Sequence, residues 1–189
     1  MKANLIMSAC SKPPNCIVPH QAVMEFQVVT NKRLPKIRAG RSAIAFYYRK
    51  DMVAISNGLE GRKTDTGSIK VSSIELTMLD LVRYPRAAGG LDNIATIVSD
   101  LGERIDPGKL ANLSAAFERS VIQRLGYLLE SAGHGERVHA LHDGMPKAPP
   151  LPWLELELAQ AADPDLSPKP KERNERWHVI VRREPERDE

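Results

Sequence analysis

Residues Val71–Glu130 read VSSIELTMLDLVRYPRAAGGLDNIATIVSDLGERIDPGKLANLSAAFERSVIQRLGYLLE, and the breaks in this stretch mark out three or four amphipathic helices. The first takes Ser72 or Ser73 as its N-cap and Glu75 in its first turn, where a carboxylate opposes the helix dipole. Ile74, Met78, Leu81 and Val82 share one face, and Pro85 stops the helix. The second starts after Gly89-Gly90 and lines up Leu91, Ile94, Ala95, Val98 and Leu101, with Gly102 placed for a left-handed exit. Asp106-Pro107 pairs an N-cap with a proline at the first helical position. Leu110, Leu113, Phe117, Val121, Leu125 and Leu128 then form a stripe that ends by Gly133, with a break or bend expected near Phe117 to Ser120. Gly126 costs about 1 kcal/mol relative to alanine inside a helix, so its presence predicts a closely packed backbone or ring. Arg83, Arg119 and Arg124 read as solvated charges or ion pairs.

Outward from this stretch the chain changes character. EFQVVT (Glu25 to Thr30) and AIAFYYR (Ala43 to Arg49) are rich in β-branched and aromatic residues and read as strands, with a short one between Leu34 and Arg38. NGLEGRKTDTG (Asn57 to Gly67) reads as a loop, and Ser68 to Val71 as a brief strand into the first helix. Gly61-Arg62-Lys63-Thr64 lacks the GxxxxGK[ST] spacing of a phosphate-binding loop and reads as an ordinary turn. WLELEL (Trp153 to Leu158) alternates and reads as a strand with Glu155 and Glu157 on a solvated face. No lysine follows to complete a Glu-x-Lys nuclease motif. WHVIVR (Trp177 to Arg182) is a last strand with His178 outward, and Ala159 to Arg173, with its prolines, is a mobile loop.

These assignments predict an α+β fold, a mixed or antiparallel sheet covered by a bundle of three to four helices. The strands lie near 22–30, 43–50, 68–72, 152–158 and 177–183, and the helices of 73–131 sit on one side. Residues 1–19, with Pro13, Pro14 and Pro19, are expected to be poorly ordered with one short helical turn at the start, and residues 20–189 to form the domain.

At 189 residues, 42% hydrophobic and 27% charged, the chain is long enough to bury a core. No apolar run approaches the roughly 20 residues that span a bilayer, so no membrane partner is expected and a cytoplasmic location follows. Cys10 and Cys16 alone do not make a disulfide framework or a good metal site. His134, His139 and His142 fall among glycines that deny them the rigidity a metal needs, so no metal is expected. No nucleophile, base and orienting group occur together, so no catalytic residue or cofactor is expected and the chain reads as no enzyme.

Charge separates along the chain. Through Lys70 there are 12 Lys and Arg against 4 Asp and Glu, a balance of +8; the remainder has 15 against 20, a balance of −5. Lys32, Arg33, Lys36, Arg38, Arg41, Arg49 and Lys50 fall between Asn31 and Lys50 with no acidic residue among them. Set on the outward positions of a meander, they would offer a basic face for phosphate contact, with Tyr47 and Tyr48 for stacking on an unpaired base. A solvated edge whose charges discourage aggregation is the structural alternative.

The run VSSIELTMLDLVRYPRAAGGLDNIATIVSDLG, with IDPGKL and RLGYLLE behind it, resembles the C-terminal domain of the AbiEi antitoxins. HQAVMEFQVVT, the KTDTG of Lys63 to Gly67, PWLELE (Pro152 to Glu157) and the closing RNERWHVIVRREPERDE extend the resemblance from about His20 to the C-terminus. It implies an antitoxin of a type IV toxin–antitoxin system, acting in abortive infection against phage. The antitoxin opposes a nucleotidyltransferase toxin without forming a stable complex. Family members also carry an N-terminal winged helix-turn-helix that binds their promoter. Nineteen proline-bearing residues do not supply one, so autoregulation is doubtful for this sequence. A nucleic-acid-binding regulator acting on DNA or RNA through the basic strands at 31–50 is the alternative function.

Overall fold

The computed structural model describes residues 4–6, 24–40, 42–65, 67–145, 150–155 and 170–187. The chain divides into two compact units, Met1–Thr77 and Met78–Glu189.

The first unit holds a mixed sheet of six strands among the described residues: β1 (Asn4–Ile6), β2 (Met24–Thr30), β3 (Ile37–Ala39), β4 (Ser42–Tyr48), β5 (Leu59–Thr64) and β6 (Gly67–Ser72), in the order β3-β4-β2-β1-β6-β5. The two strands most legible in the sequence, β2 and β4, are neighbours, but they run parallel, with Met24 opposite Ser42 and Thr30 opposite Tyr48. The sheet is thus mixed, and the meander on which one continuous basic face would depend is not formed. Residues 31–36, carrying Pro35, make a connection long enough to skip one strand position, so the chain reaches the edge as β3. It then turns at Gly40, whose φ of 58° suits glycine, and returns as β4 between β3 and β2. Val28, Val29 and Ala43 are buried in the middle of this sheet.

Two further expectations are corrected in this unit. Asn4–Ile6 is a strand and not a helical turn, antiparallel to β2 and parallel to β6. Three residues are too few to show a period, so only their pairing reveals them. Residues 59–64, including Gly61 to Thr64, are strand β5 and not a loop or turn, paired with β6 from Leu59 opposite Ser72 to Thr64 opposite Gly67. Glu60 to Thr64 are all exposed at the sheet edge, which erases the apolar alternation that identifies a strand in sequence.

Helix α1 (Ile74–Arg83) begins at Ser73, whose hydroxyl donates to Glu75 (2.7 Å) and accepts from the Leu76 N–H (3.4 Å). It carries the chain into the second unit. There α2 (Leu91–Leu101), α3 (Pro107–Ser114), α4 (Arg119–Ser131) and α5 (His139–Asp143) follow. Asp106 caps α3 by accepting from the Lys109 N–H at 3.0 Å, and the expected break falls between Ala115 and Glu118. Ile94, Val98, Leu110, Leu113, Leu125 and Leu129 are buried along the helical stripes. Gly133, with φ of 89°, takes the chain out of α4.

Gly102 is a correction. Its φ of −57° is right-handed, and the helix runs on through a single 3-10 turn at Gly102–Arg104. A methyl group there would lie 2.0 Å from the His134 ring, so close approach explains this glycine and a left-handed exit does not.

The remaining strands form a separate two-stranded ribbon, β7 (Glu172–Asn174) and β8 (Val179–Val181), antiparallel and packed on α4. The segments near 152–158 and 177–183 were expected in the main sheet. Within the described residues only Trp153 makes a bridge, parallel to Ile180 of β8, while 156–158 lie outside them. Glu172 and Arg173 belong to β7 and not to the expected loop, of which 159–169 also lie outside the described residues. Trp177, Val179 and Val181 are wholly buried, and His178 between them takes a left-handed φ of 50°.

Candidate nucleic-acid or partner interface

The parallel pairing of β2 and β4 decides which basic residues meet. Because Thr30 lies opposite Tyr48, the segments leaving both strands emerge at the same end of the sheet. Lys32 and Arg33 follow β2, and Lys50 follows β4; all three are exposed. The Arg33 guanidinium sits 5.0 Å from the centre of the Tyr48 ring, and Tyr48 is 43% exposed. At an exposed site such a contact contributes about 0.5–1 kcal/mol. Tyr47, by contrast, is half-buried and engaged in an interaction.

The other sequence-predicted residues fall elsewhere. Arg38 pairs in register with Ala43, at the far end of β4. At about 3.3 Å per residue that is on the order of 17 Å along the strand from Tyr48. Lys36 is ion-paired with Glu25, which is also opposite Ala43 and so at the same far end. Arg41 lies outside the described residues. Arg49 is 5% exposed, engaged in an interaction, and its N–H donates to the Thr30 carbonyl at 2.9 Å. Arg49 is thus part of the sheet's buried structure. The geometry gathers Lys32, Arg33, Tyr48 and Lys50 into one exposed cationic and aromatic corner.

In the second unit the three histidines go separate ways. His134 Nε2 lies 3.0 Å from the Ser99 carbonyl, His139 Nδ1 lies 3.3 Å from Arg176, and the His142 ring meets the Trp177 ring edge-on at 5.8 Å. Among the described residues no three His, Cys, Asp or Glu side chains converge as metal ligands.

A polar cluster here escaped the sequence reading. Arg124, expected in solvent or in an ion pair, is 6% exposed, and its Nε donates to the Trp153 carbonyl at 2.7 Å. Burial pulls its guanidinium down to about 10. Arg183 holds Asp92 through two bonds of 2.7 and 2.8 Å. That hydrogen bonding keeps the Asp92 carboxyl below its usual range. Glu155, expected on a solvated strand face, is half-buried instead, 3.2 Å from the Arg183 Nε. Glu157 lies outside the described residues. The buried position of Arg124 on the apolar stripe, one residue before Leu125, was the available signal.

Residues 18–131 match the AbiEi antitoxin C-terminal domain, more than half of the chain. The chain belongs to this antitoxin family. The family is regulatory and not enzymatic. The matched residues end at Ser131, before PWLELE and the closing segment. No curated protein matches the chain. Among solved structures it is similar to the crystal structure of RV2827C protein from Mycobacterium tuberculosis, at 16% identity and a TM-score of 0.57. That similarity covers 84% of this chain and 55% of the other, so the chain spans about half the length of that protein. At this identity the likeness establishes a shared α+β fold. No helix among the described residues is long and apolar enough to cross a membrane.

Proposed function

We propose that this chain acts as the antitoxin of a type IV toxin–antitoxin pair, opposing a nucleotidyltransferase toxin in the cytoplasm without holding it in a stable complex. The observation that carries the reading is the family match over residues 18–131. The intact helical unit supports it, with its capped helices and buried stripes in the places the family motifs occupy. Phage defence by abortive infection is the physiology this role implies. Co-expression with a cognate nucleotidyltransferase toxin tests the proposal. Restored growth without co-purification of the two proteins is the expected result, and continued arrest with the antitoxin soluble and folded rejects it.

A second reading, nucleic-acid binding through the basic strands, rests on a specific observation. Lys32, Arg33 and Lys50 leave the sheet at the same end as the exposed Tyr48, and the Arg33 guanidinium lies 5.0 Å from the centre of its ring. Phosphate contacts from the cations and base stacking on Tyr48 are what such a corner provides. Arg38 and Arg41 stand as secondary contacts, and Lys36 and Arg49 have structural roles.

A further inference from the structure

Arg124 is largely buried, yet its terminal nitrogens remain accessible from the cavity that it lines. Its Nε is used by the Trp153 carbonyl, but no carboxylate within the described residues pairs with its two terminal nitrogens. Buried guanidinium groups are ordinarily paired, because removing a charge from water is costly unless another charge replaces the lost hydration. Arg124 lines a cavity of about 300 Å³, the lower end of the range for small-molecule sites. The cavity walls carry three arginines, Arg124, Arg182 and Arg183, against the carboxylates of Asp92 and Glu155, which leaves one positive charge over.

A second feature points to an anion. The cavity also includes Gly90, Leu91 and Asp92, the first turn of α2. Gly90 supplies no side-chain cap, so among the described residues the N–H groups of this turn have no side-chain acceptor, and the positive end of the helix lies in the cavity wall. The Asp92 carboxylate does not fill that role. It is taken up by Arg183 and by the Glu186 N–H at 2.9 Å. Glu155 also lines the cavity; among the described residues its Oε2 accepts no hydrogen bond, and the Arg182 Nε stands 3.7 Å from it, beyond hydrogen-bond reach, so it remains open to a donor.

We propose that this cavity binds a small molecule carrying a phosphate or carboxylate group, with an N–H or O–H donor beside it. The oxyanion lies between the terminal nitrogens of Arg124 and the first turn of α2, and the donor reaches Glu155. The fixed Nε bond to Trp153 orients the guanidinium so that its other edge can grip two oxygens at once. This site lies wholly within the helical unit and does not depend on the antitoxin reading or on the basic corner of the sheet.

The experiment is calorimetric and thermal titration of the intact protein with inorganic phosphate, pyrophosphate, acetate and malonate at constant ionic strength, with chloride as the matched control. Saturable binding of a phosphate or a carboxylate probe, with a rise in melting temperature that chloride does not give, is expected. The stronger of the two classes identifies the ligand's anionic group, and no saturable binding of either overturns the proposal. Arg124→Lys keeps the charge but loses the planar fork, and is expected to weaken binding at least tenfold; a folded variant with unchanged affinity overturns the proposal. Should it fail to fold, Glu155→Gln decides. Removing that negative charge is expected to tighten binding of the simple anions several-fold, and unchanged affinity overturns the site.

Discussion

Gly126 leaves no room for a methyl group. A β-carbon built there would lie 2.1 Å from the six-membered ring of Trp177, which is wholly buried and whose indole N–H donates to Glu130. A ring that is wholly buried and held by its indole N–H cannot give way cheaply. Gly126→Ala should therefore be destabilising even though alanine gains about 1 kcal/mol of helix propensity. Overpacking a rigid core costs up to about 3 kcal/mol, so the net loss is about 2 kcal/mol. In a chain of this size that lowers the melting temperature by about 4–8 °C. Circular dichroism melts check the value. Trp177→Leu, destabilising by itself, should remove the penalty of the added methyl when the two are combined. The close approach itself was legible, because a mid-helix glycine in an apolar stripe needs a reason. Its partner was not, since Trp177 is 51 positions away and sequence spacing says nothing about that contact. Gly102 was misread for the same reason: glycine after an apolar helix signals a left-handed exit unless a ring such as that of His134 stands in the way.

At the scale of elements, the helices were legible and several strands were not, and the difference is physical. A helix buried on one face carries its signature over ten or more residues, with caps such as Asp106 at the end. β5 and β7 are short edge strands with charged, exposed residues, and only backbone pairing makes them strands. Elements are also tied by contacts that no period encodes. The clearest is the clamp from Asp92, in the first turn of α2, to Arg183, just beyond β8. Because the folded Asp92 pKa is depressed, its contribution is present above the unfolded value of about 3.8 and is lost as pH falls through the lower folded value. Melting temperature measured from pH 5 down to pH 2 should fall in that window, and Asp92→Asn should flatten this part of the curve. Parallel curves for the two proteins would show that the clamp does not contribute. The carboxylate is partly exposed, so high salt should reduce the difference.

Over the whole molecule, the uneven charge visible in the sequence becomes a local feature only through the sheet order. Seven basic residues between Asn31 and Lys50 look like one patch. Parallel pairing of β2 and β4 puts Lys32, Arg33 and Lys50 together and sends Lys36 and Arg38 to the other end, while Arg49 is buried. This reorganisation makes the nucleic-acid reading specific. Each phosphate neutralised on a single strand contributes about 0.7 to the slope of log affinity against log salt. Replacing Lys32, Arg33 and Lys50 together by glutamine should therefore lower that slope by about 2, measured by fluorescence anisotropy on single-stranded oligonucleotides. Tyr48→Ala should weaken binding and leave the slope nearly intact, because stacking releases no counterions. Arg38→Gln alone should change little if the corner is the site. A larger fall in slope from Arg38→Gln than from the triple variant would place the contact at the other end of β4. Equal slopes for all variants and the unaltered protein would remove the nucleic-acid reading.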